Sequence, residues 1–215
     1  MKKSLVSVIL VVSMMLSIGG CGLKKKNDSK ILEGNWKADL ECEKIVTDEL
    51  SKDEDAKSNN MAMIDAIKKY ADFNELEAIV TFKFNQDGTY SIEPDLEQWN
   101  STWGAFSTAA LNGAREYYKS IGVGDAMVEG FESKEEFLGY SIAYTLMDLR
   151  IPITKAVFVQ QNGKYKAING KLYINKDSSK DVDITTDYYG TYEITGESEL
   201  TVKNRDGVEY ICQKE

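Results

Sequence analysis

The stretch YYGTYEITGESELTVKNRDGVEYICQ, residues 188–213, decides our interpretation of the fold. It contains three short runs rich in β-branched and aromatic residues, at Tyr188–Ile194, Glu199–Val202 and Val208–Gln213. Gly196 separates the first two runs, and Asp206-Gly207 separates the last two. Short strands joined by glycine-bearing turns are typical of hairpins. This part of the chain is therefore predicted to form an antiparallel meander.

The same pattern continues toward the N-terminus. Further strands are predicted at Trp36–Cys42, Glu77–Phe84, Thr89–Ile92, Ala156–Gln160, Tyr165–Ile168 and Lys171–Ile174, with turns at Asn85–Gly88, Asn162-Gly163 and Asn169-Gly170. In the first of these strands apolar and polar residues alternate, which is typical of a half-buried strand. A meander of about eight or nine strands avoids open edges by closing on itself, so we predict an antiparallel barrel.

Two helical regions interrupt the strands. Residues Thr47–Asp72 are predicted to be helical after the first strand, and a helical insertion at about 95–150 lies between the third and fourth strands. The insertion is expected to break at Gly122-Val123-Gly124 and to restart at Ser133, which has capping-box spacing to Glu136. We expect Pro152 to end it. The predicted fold class is α+β, mainly β.

The N-terminus has the features of an export signal. Two lysines precede an uncharged apolar run, Leu5–Ile18, which is shorter than the roughly 20 residues that a membrane span needs. Ile18-Gly19-Gly20-Cys21 resembles the bacterial lipobox, in which the cysteine receives a diacylglyceryl group and cleavage occurs just before it. This predicts a signal peptide at 1–20, a lipidated flexible tether at 21–30 and a domain at 31–215. The alternative is an ordinary signal peptide that contains a cysteine.

Charge and composition exclude several classes of function. Residues 31–215 contain 20 basic and 34 acidic side chains, a net charge of −14, which disfavours nucleic-acid binding. The chain has no histidine, which rules out Ser-His-Asp and Cys-His catalysis and histidine-based zinc sites. We therefore expect a protein that is not an enzyme and has no cofactor and no metal, although an enzyme based on carboxylates is a third hypothesis.

Short motifs suggest a family for the barrel. Gly34-Asn35-Trp36 resembles the Gly-x-Trp opening of lipocalins and fatty-acid-binding proteins, in which the tryptophan plugs one end of the barrel. Asp87-Gly88-Thr89-Tyr90 and Gly190–Ile194 also resemble a group of lipocalin-like lipoproteins from Gram-positive gut bacteria. The resemblance covers most of residues 31–215. It implies a lipocalin-like barrel, anchored by lipid on the extracytoplasmic face of the cell membrane.

The two cysteines that remain after Cys21 lie near the two ends of the domain. Closing the barrel pairs the first strand with the last, and export places Cys42 and Cys212 in an oxidising compartment. A Cys42–Cys212 disulfide is one expectation. Two buried free thiols are the other.

Aromatic residues are the candidate ligand contacts. Trp99, Trp103, Phe106 and Tyr117 could line a pocket for an apolar ligand, or pack the helices on the barrel; Trp36 could contact a ligand or act as a core plug. Our leading hypothesis is a lipoprotein that binds a small apolar molecule or an envelope peptide. The alternative is an interaction or inhibitor module that uses the helical insertion as its surface.

Overall fold

The barrel is closed and has eight antiparallel strands. The computed structural model describes residues 28–122 and 127–215. Each strand pairs with the next along the chain, and the last pairs with the first. The strands are β1 Gly34–Asp39, β2 Ile79–Phe84, β3 Thr89–Pro94, β4 Gln161–Ile168, β5 Lys171–Asn175, β6 Tyr188–Thr195, β7 Glu199–Asn204 and β8 Glu209–Lys214.

Five α-helices accompany these strands in the described part of the chain. They are α1 Ser29–Leu32, α2 Cys42–Leu50, α3 Lys57–Ile67, α4 Leu96–Ile121 and α5 Lys134–Val157, with a 3-10 helix at Phe73–Glu75. The predicted α+β fold, with a lipocalin-like antiparallel barrel and helices after the first strand and between the third and fourth, is confirmed. Among these helices none has the length and apolar character that crossing a membrane requires.

The glycine turns are confirmed with one exception. Asn169 and Gly170 both have positive φ, 50° and 72°, and they join β4 to β5 as a two-residue hairpin loop. The predicted turn at Asn162-Gly163 is wrong, because both residues lie inside β4 and Gly163 pairs with Tyr90. A Cβ on Gly163 would lie 2.0 Å from the carbonyl oxygen of Asn175. Glycine is therefore required there for close strand packing and not for a turn.

The predicted strand Ala156–Gln160 is also wrong. The helix α5 continues through Pro152 to Val157, and β4 begins only at Gln161. A proline normally interrupts a helix because it lacks an N–H and clashes with the preceding turn. Here the residues after Pro152 are held in the helix by burial: Ile153 and Val157 are fully buried. Burial against the core outweighs the local cost of the proline.

The first helical region begins earlier than predicted and is divided. Cys42, predicted as the end of the first strand, is the first residue of α2. The Asp53 carboxylate accepts hydrogen bonds from the backbone N–H groups of Asp55 and Ala56, at 3.1 and 3.2 Å. Such local side-chain bonds compete with helical hydrogen bonding. The region therefore forms two helices, α2 and α3, in place of the single predicted one.

Residues 28–30, predicted as the end of the flexible tether, are part of the folded domain. The Asp28 N–H donates to Ala167 O at 2.8 Å, and the Asp28 carboxylate accepts from Asn169 N and Tyr192 Oη, both at 3.0 Å. The Ser29 hydroxyl accepts from Ala167 N at 3.1 Å. The domain boundary therefore lies at or before Asp28. The predicted signal peptide, the lipobox and Cys21 lie outside the described residues.

Helices lie at both ends of the barrel. The helix α1 precedes β1 and packs on β4, so it covers the end where β1 starts. The helices α2 to α5 are all connected at the opposite end, where α2 packs on α3 and α5, and α4 packs on α3 and α5. Tyr210, fully buried on β8, donates its hydroxyl proton to the carbonyl oxygen of Ala156 in α5 at 3.1 Å. This bond ties the helical layer to the barrel.

Two glycines of α4 test how tightly this layer is packed. A Cβ on Gly113 would lie 2.4 Å from Cα of Ile67 in α3, whereas a Cβ on Gly104 would meet no atom within 4 Å. We expect Gly113→Ala to lower the free energy of unfolding by about 1–3 kcal/mol because the helices must separate. Gly104→Ala, the matched control, should raise it by up to about 1 kcal/mol through helix propensity. Urea titration measures both, and equal effects would contradict the packing.

Candidate functional site

The aromatic residues of α4 form a packing layer and not a pocket. Trp99, Trp103, Phe106 and Tyr117 are each at most 8% exposed. The rings of Trp99 and Trp103 are 5.6 Å apart and those of Trp103 and Phe106 are 5.7 Å apart, which are ordinary distances for packed aromatic pairs. Phe106 also contacts Phe73 of the 3-10 helix at 4.8 Å. These four candidate ligand residues hold the helical layer together.

Trp36 lies apart from those four residues, on the first strand of the barrel. It is 1% exposed, and its Nε1–H donates to Leu32 O at 2.7 Å. This bond joins β1 to α1 at the end of the barrel where β1 starts. The Lys214 ammonium lies 5.0 Å from the centre of its ring. This environment matches a core plug. The structure therefore does not bring the five candidate ligand residues into one site.

Large side chains occupy the barrel interior. The ring of Phe82 contacts that of Tyr210 at 5.1 Å, and the ring of Phe84 contacts that of Tyr165 at 4.8 Å. These four residues are at most 3% exposed, as is Tyr90. Space inside an eight-stranded barrel is only wide enough for side chains or one small ligand. Where these aromatic residues lie, their side chains fill the barrel interior.

The predicted Cys42–Cys212 disulfide is not formed, and both cysteines are free buried thiols. Cys212 faces the barrel interior with Ala38 of β1 as its neighbour across the seam. Cys42 lies beyond the end of β1, at the start of α2. Burial raises the pKa of both thiols to about 12, so neither is a reactive nucleophile near neutral pH.

An open groove lies outside the barrel along the junction of β1 and β8. Its volume is about 1210 Å³, and it lies between the outer surface of these two strands, the helix α2, the end of α5 and the β7–β8 turn. We call it the seam groove. Its apolar lining residues are Ile45, Pro152, Val159, Val208 and Ile211. Ile211 is the most informative of them, because it points outward from β8 and is 45% exposed.

Charges of both signs surround this apolar lining. Six lysines and seven carboxylates line the seam groove: Lys37, Lys44, Lys52, Lys155, Lys203 and Lys214, with Asp39, Glu41, Asp48, Glu49, Asp206, Glu209 and Glu215. Lys52 forms an ion pair with Glu49 at 2.5 Å, and Lys44 lies 4.0 Å from Glu41. An apolar centre with polar groups around it is the usual composition of a binding surface.

A smaller pocket adjoins the seam groove at the end of β1. It has a volume of about 600 Å³ and shares Asp39, Glu41, Lys44 and Asp48 with the groove. Partial burial raises the pKa of Asp39. Asp148, whose pKa burial also raises, lines neither depression. The two carboxyl groups therefore do not converge as an acid–base pair would.

A second exposed apolar surface lies on α5. The side chains of Tyr140, Tyr144, Met147 and Ile151 repeat at helical spacing on one face, and Phe158 follows at the helix end. Each of the five is between 42% and 58% exposed. We call this surface the α5 face. It differs from the opposite face of the same helix, where Leu149 and Ile153 are fully buried.

Sequence reasoning missed the seam groove, and it named the helical insertion as a possible surface without identifying which face of α5 is exposed. The alternation along β8 places Glu209, Ile211 and Gln213 on the outer side, so an isoleucine among polar outward residues was a readable signal. The position of α2 beside this strand was not readable, because it depends on how the helices pack. On α5 the apolar residues occupy two faces, and only the fold decides which face is covered.

Comparison with known proteins adds no relationship. No family model matches this chain, and the searches for similar curated proteins and for similar solved structures also return no match.

Buried tyrosines and thiols predict the alkaline stability of the domain. Burial raises the pKa of Tyr90, Tyr165 and Tyr189 from 10 to about 12, and that of Cys42 and Cys212 from 9 to about 12. The unfolded chain therefore loses these protons first as the pH rises. We expect the stabilisation to be complete below about pH 9 and to fall progressively toward pH 12, as urea titrations at a series of pH values would show.

A single variant connects this effect to one side chain. The Tyr90 hydroxyl is buried and has no hydrogen-bond partner among the described residues, so Tyr90→Phe should fold normally. The variant should lose less stability than the parent between pH 10 and pH 12. An identical pH dependence would contradict the assignment.

Proposed function

We propose that this chain is a membrane-anchored, extracytoplasmic lipoprotein without enzymatic activity that binds an envelope peptide in the seam groove. The groove itself carries the proposal: it is open, partly apolar and bordered by six lysines and seven carboxylates. A peptide supplies apolar side chains, charges and backbone hydrogen-bonding groups together. Such a mixed surface therefore fits a peptide better than it fits a purely apolar molecule.

Size also favours a peptide. Sites for small molecules usually measure about 300–1,000 Å³. The seam groove has a volume of about 1210 Å³ and is open to solvent. A small apolar ligand inside the barrel, the other form of our leading hypothesis, has less support, because Phe82, Phe84 and Tyr210 occupy that interior.

The proposed anchor would orient the domain. Cys21 lies seven residues before Asp28, which is bound to the barrel end covered by α1. Seven extended residues span at most about 25 Å. Lipid on Cys21 would therefore keep the α1 end close to the membrane. The opposite end, with α2 and α5, would extend toward other molecules of the envelope.

The α5 face supports a second candidate, an interaction module that binds another protein through the helical insertion. Exposed apolar surfaces of this kind often mark protein contacts. Tyr140, Tyr144 and Met147 contribute three successive turns of such a surface, and the rings of Tyr140 and Tyr144 stack at 5.8 Å. Peptide binding in the seam groove and protein binding on the α5 face can be separated by mutation.

A screen of peptides, lipids and glycans against the full chain in detergent tests the function. We expect peptides to raise the melting temperature. Ile211→Asp should weaken their binding by at least about tenfold, because it replaces an apolar contact in the groove with a charged group that a bound peptide would remove from water. Ile121→Asp is the matched control: Ile121 is 47% exposed, close to the 45% of Ile211, but does not line the groove. It should bind peptides as the parent does.

Other outcomes select between the hypotheses. Tyr144→Glu combined with Met147→Glu should leave peptide binding unchanged, and its loss would favour the α5 face. A melting temperature raised by lipids alone would contradict the proposal, as would a screen without any shift.

Attachment to the membrane has a separate test. Cells that express the full chain should incorporate labelled palmitate into it, and the protein should sediment with membranes. Cys21→Ala should remove the label and prevent processing to the mature length, because the acylated thiol is the substrate for cleavage. Cys212→Ala, which changes a buried thiol instead, should keep the label. Equal labelling of the Cys21→Ala variant would show that Cys21 is not the site.

A further inference from the structure

We infer that two copies of this chain associate through the α5 face, with their α5 helices packed side by side in antiparallel directions. The five residues of the α5 face do not line the seam groove, so the inference goes beyond peptide binding in that groove and does not depend on it. Its principal support is the spacing of the exposed apolar residues along α5.

The exposed apolar residues of α5 repeat with the spacing of a coiled coil. Together with Thr154, they follow one another at steps of four, three, four, three and four residues from Tyr140 to Phe158. Alternation of three and four residues defines the a and d positions of a heptad, which face a partner helix in a coiled coil. The a positions are Tyr144, Ile151 and Phe158, and the d positions are Tyr140, Met147 and Thr154.

The other positions of this heptad hold α5 on its own domain. Most residues that α5 buries lie at b, c and f, among them Ile142, Leu149 and Ile153. Pro152 is also buried, so its ring lies away from the a and d positions. Because packing against the domain already keeps α5 helical, association does not have to meet the cost of starting a helix. The a and d positions extend over about 27 Å of folded helix.

A second copy of α5 is the partner that this stripe of residues matches. Contact about a two-fold axis uses the same surface on both molecules, so each copy would supply the heptad that the other needs. Within one copy the stripe has no such partner: no other described helix carries more than two exposed large apolar side chains, and the two on α4, Leu96 and Ile121, lie at its opposite ends.

Charges beside the stripe select the antiparallel direction. Asp148 and Lys155 occupy e positions, and Arg150 occupies a g position. In a parallel pair a g residue lies beside an e residue of the other helix, which would place Arg150 next to the partner's Lys155. In an antiparallel pair e residues face e residues, so that Asp148 of each copy can face the partner's Lys155. This register packs Met147 against the partner's Phe158.

Both of these charges lack an ion-pair partner within one copy. Neither Asp148 nor Lys155 forms an ion pair with another described residue. Burial raises the pKa of Asp148, and no basic group counteracts that effect. The pKa of Glu49 is lowered mainly by its hydrogen bond from Lys52, with a smaller contribution from Lys155. Partly exposed ion pairs add little affinity, so these charges would determine direction while the apolar layers supply most of the binding.

Sedimentation equilibrium of the full chain, in excess detergent of matched density, tests the association. We expect a monomer–dimer equilibrium between about 1 μM and 1 mM. Ile151→Asp should raise the dissociation constant of the dimer by at least about tenfold, because it places a carboxylate in an apolar layer. Ile121→Asp is the matched control, since Ile121 is 47% exposed, close to the 42% of Ile151, but lies on α4. It should dimerise as the parent does.

Charge reversal tests the direction of the helices. Asp148→Lys and Lys155→Asp should each weaken the dimer by about three- to tenfold, because like charges would then face each other across the interface. Combining both substitutions in one chain should restore the dimer. An equal mixture of the two single variants should also associate more tightly than either variant alone, because every facing pair is then of opposite sign. Added salt should reduce these differences.

The mixture separates pairing between copies from damage to the fold, because a substitution that only disturbs its own domain would not be rescued by a second chain. A monomer at every concentration up to about 1 mM would overturn the inference. A dimer that Ile151→Asp leaves unchanged would overturn the α5 face as the interface, and a dimer without rescue by charge reversal would overturn the antiparallel pairing. Peptide binding in the seam groove is measured separately, by thermal shift, and either result for the dimer leaves it standing.

Discussion

Closure of the barrel between β1 and β8 is the constraint on which the rest of the structure depends. A sheet of eight strands would otherwise leave two open edges, with backbone groups that lack partners. Pairing of Trp36–Ala38 with Cys212–Lys214 joins two segments that are far apart in the chain. It also positions the helix α1, which directly precedes β1, at the end of the barrel where β1 starts. Trp36 also donates a hydrogen bond to Leu32 of α1. The short strand β1 therefore both completes the seam and carries the tryptophan that closes this end of the barrel.

The helices limit how far that closure extends. Because β1 ends at Asp39 and the chain enters α2 at Cys42, only three residue pairs complete the seam. The helices also cover the adjacent end of the barrel, where Tyr210 bonds to Ala156 of α5. A surface beside Ile211 stays open between these elements. The candidate binding site is thus a consequence of how the helical layer meets the barrel, and it lies outside the interior that the lipocalin resemblance suggested.

The sequence predicted secondary structure correctly where neighbouring residues alone determine it. Asn169-Gly170 forms a hairpin loop because both residues adopt positive φ. Ser133 caps α5 by accepting from Glu136 N at 3.1 Å. The errors arose where contacts between residues distant in the chain determine the local structure. Gly163 is needed for close packing of strands and not for a turn. Pro152 remains in a helix because its neighbours are buried. For the candidate ligand residues the sequence left packing and ligand contact open, since a buried tryptophan has the same sequence signature whether it packs or binds; the structure shows them packed.

By itself, the sequence determined the number and kind of most elements, the antiparallel connectivity, the acidic character and the absence of histidine chemistry. These depend on residue type, short spacing and turn geometry, which are properties of neighbouring residues. Only the tertiary structure decided the register of the seam, the separation of Cys42 from Cys212 and the exposure of Ile211. These features require two remote segments to meet, and the periodicity of one strand carries no information about which residues of another segment will lie beside it.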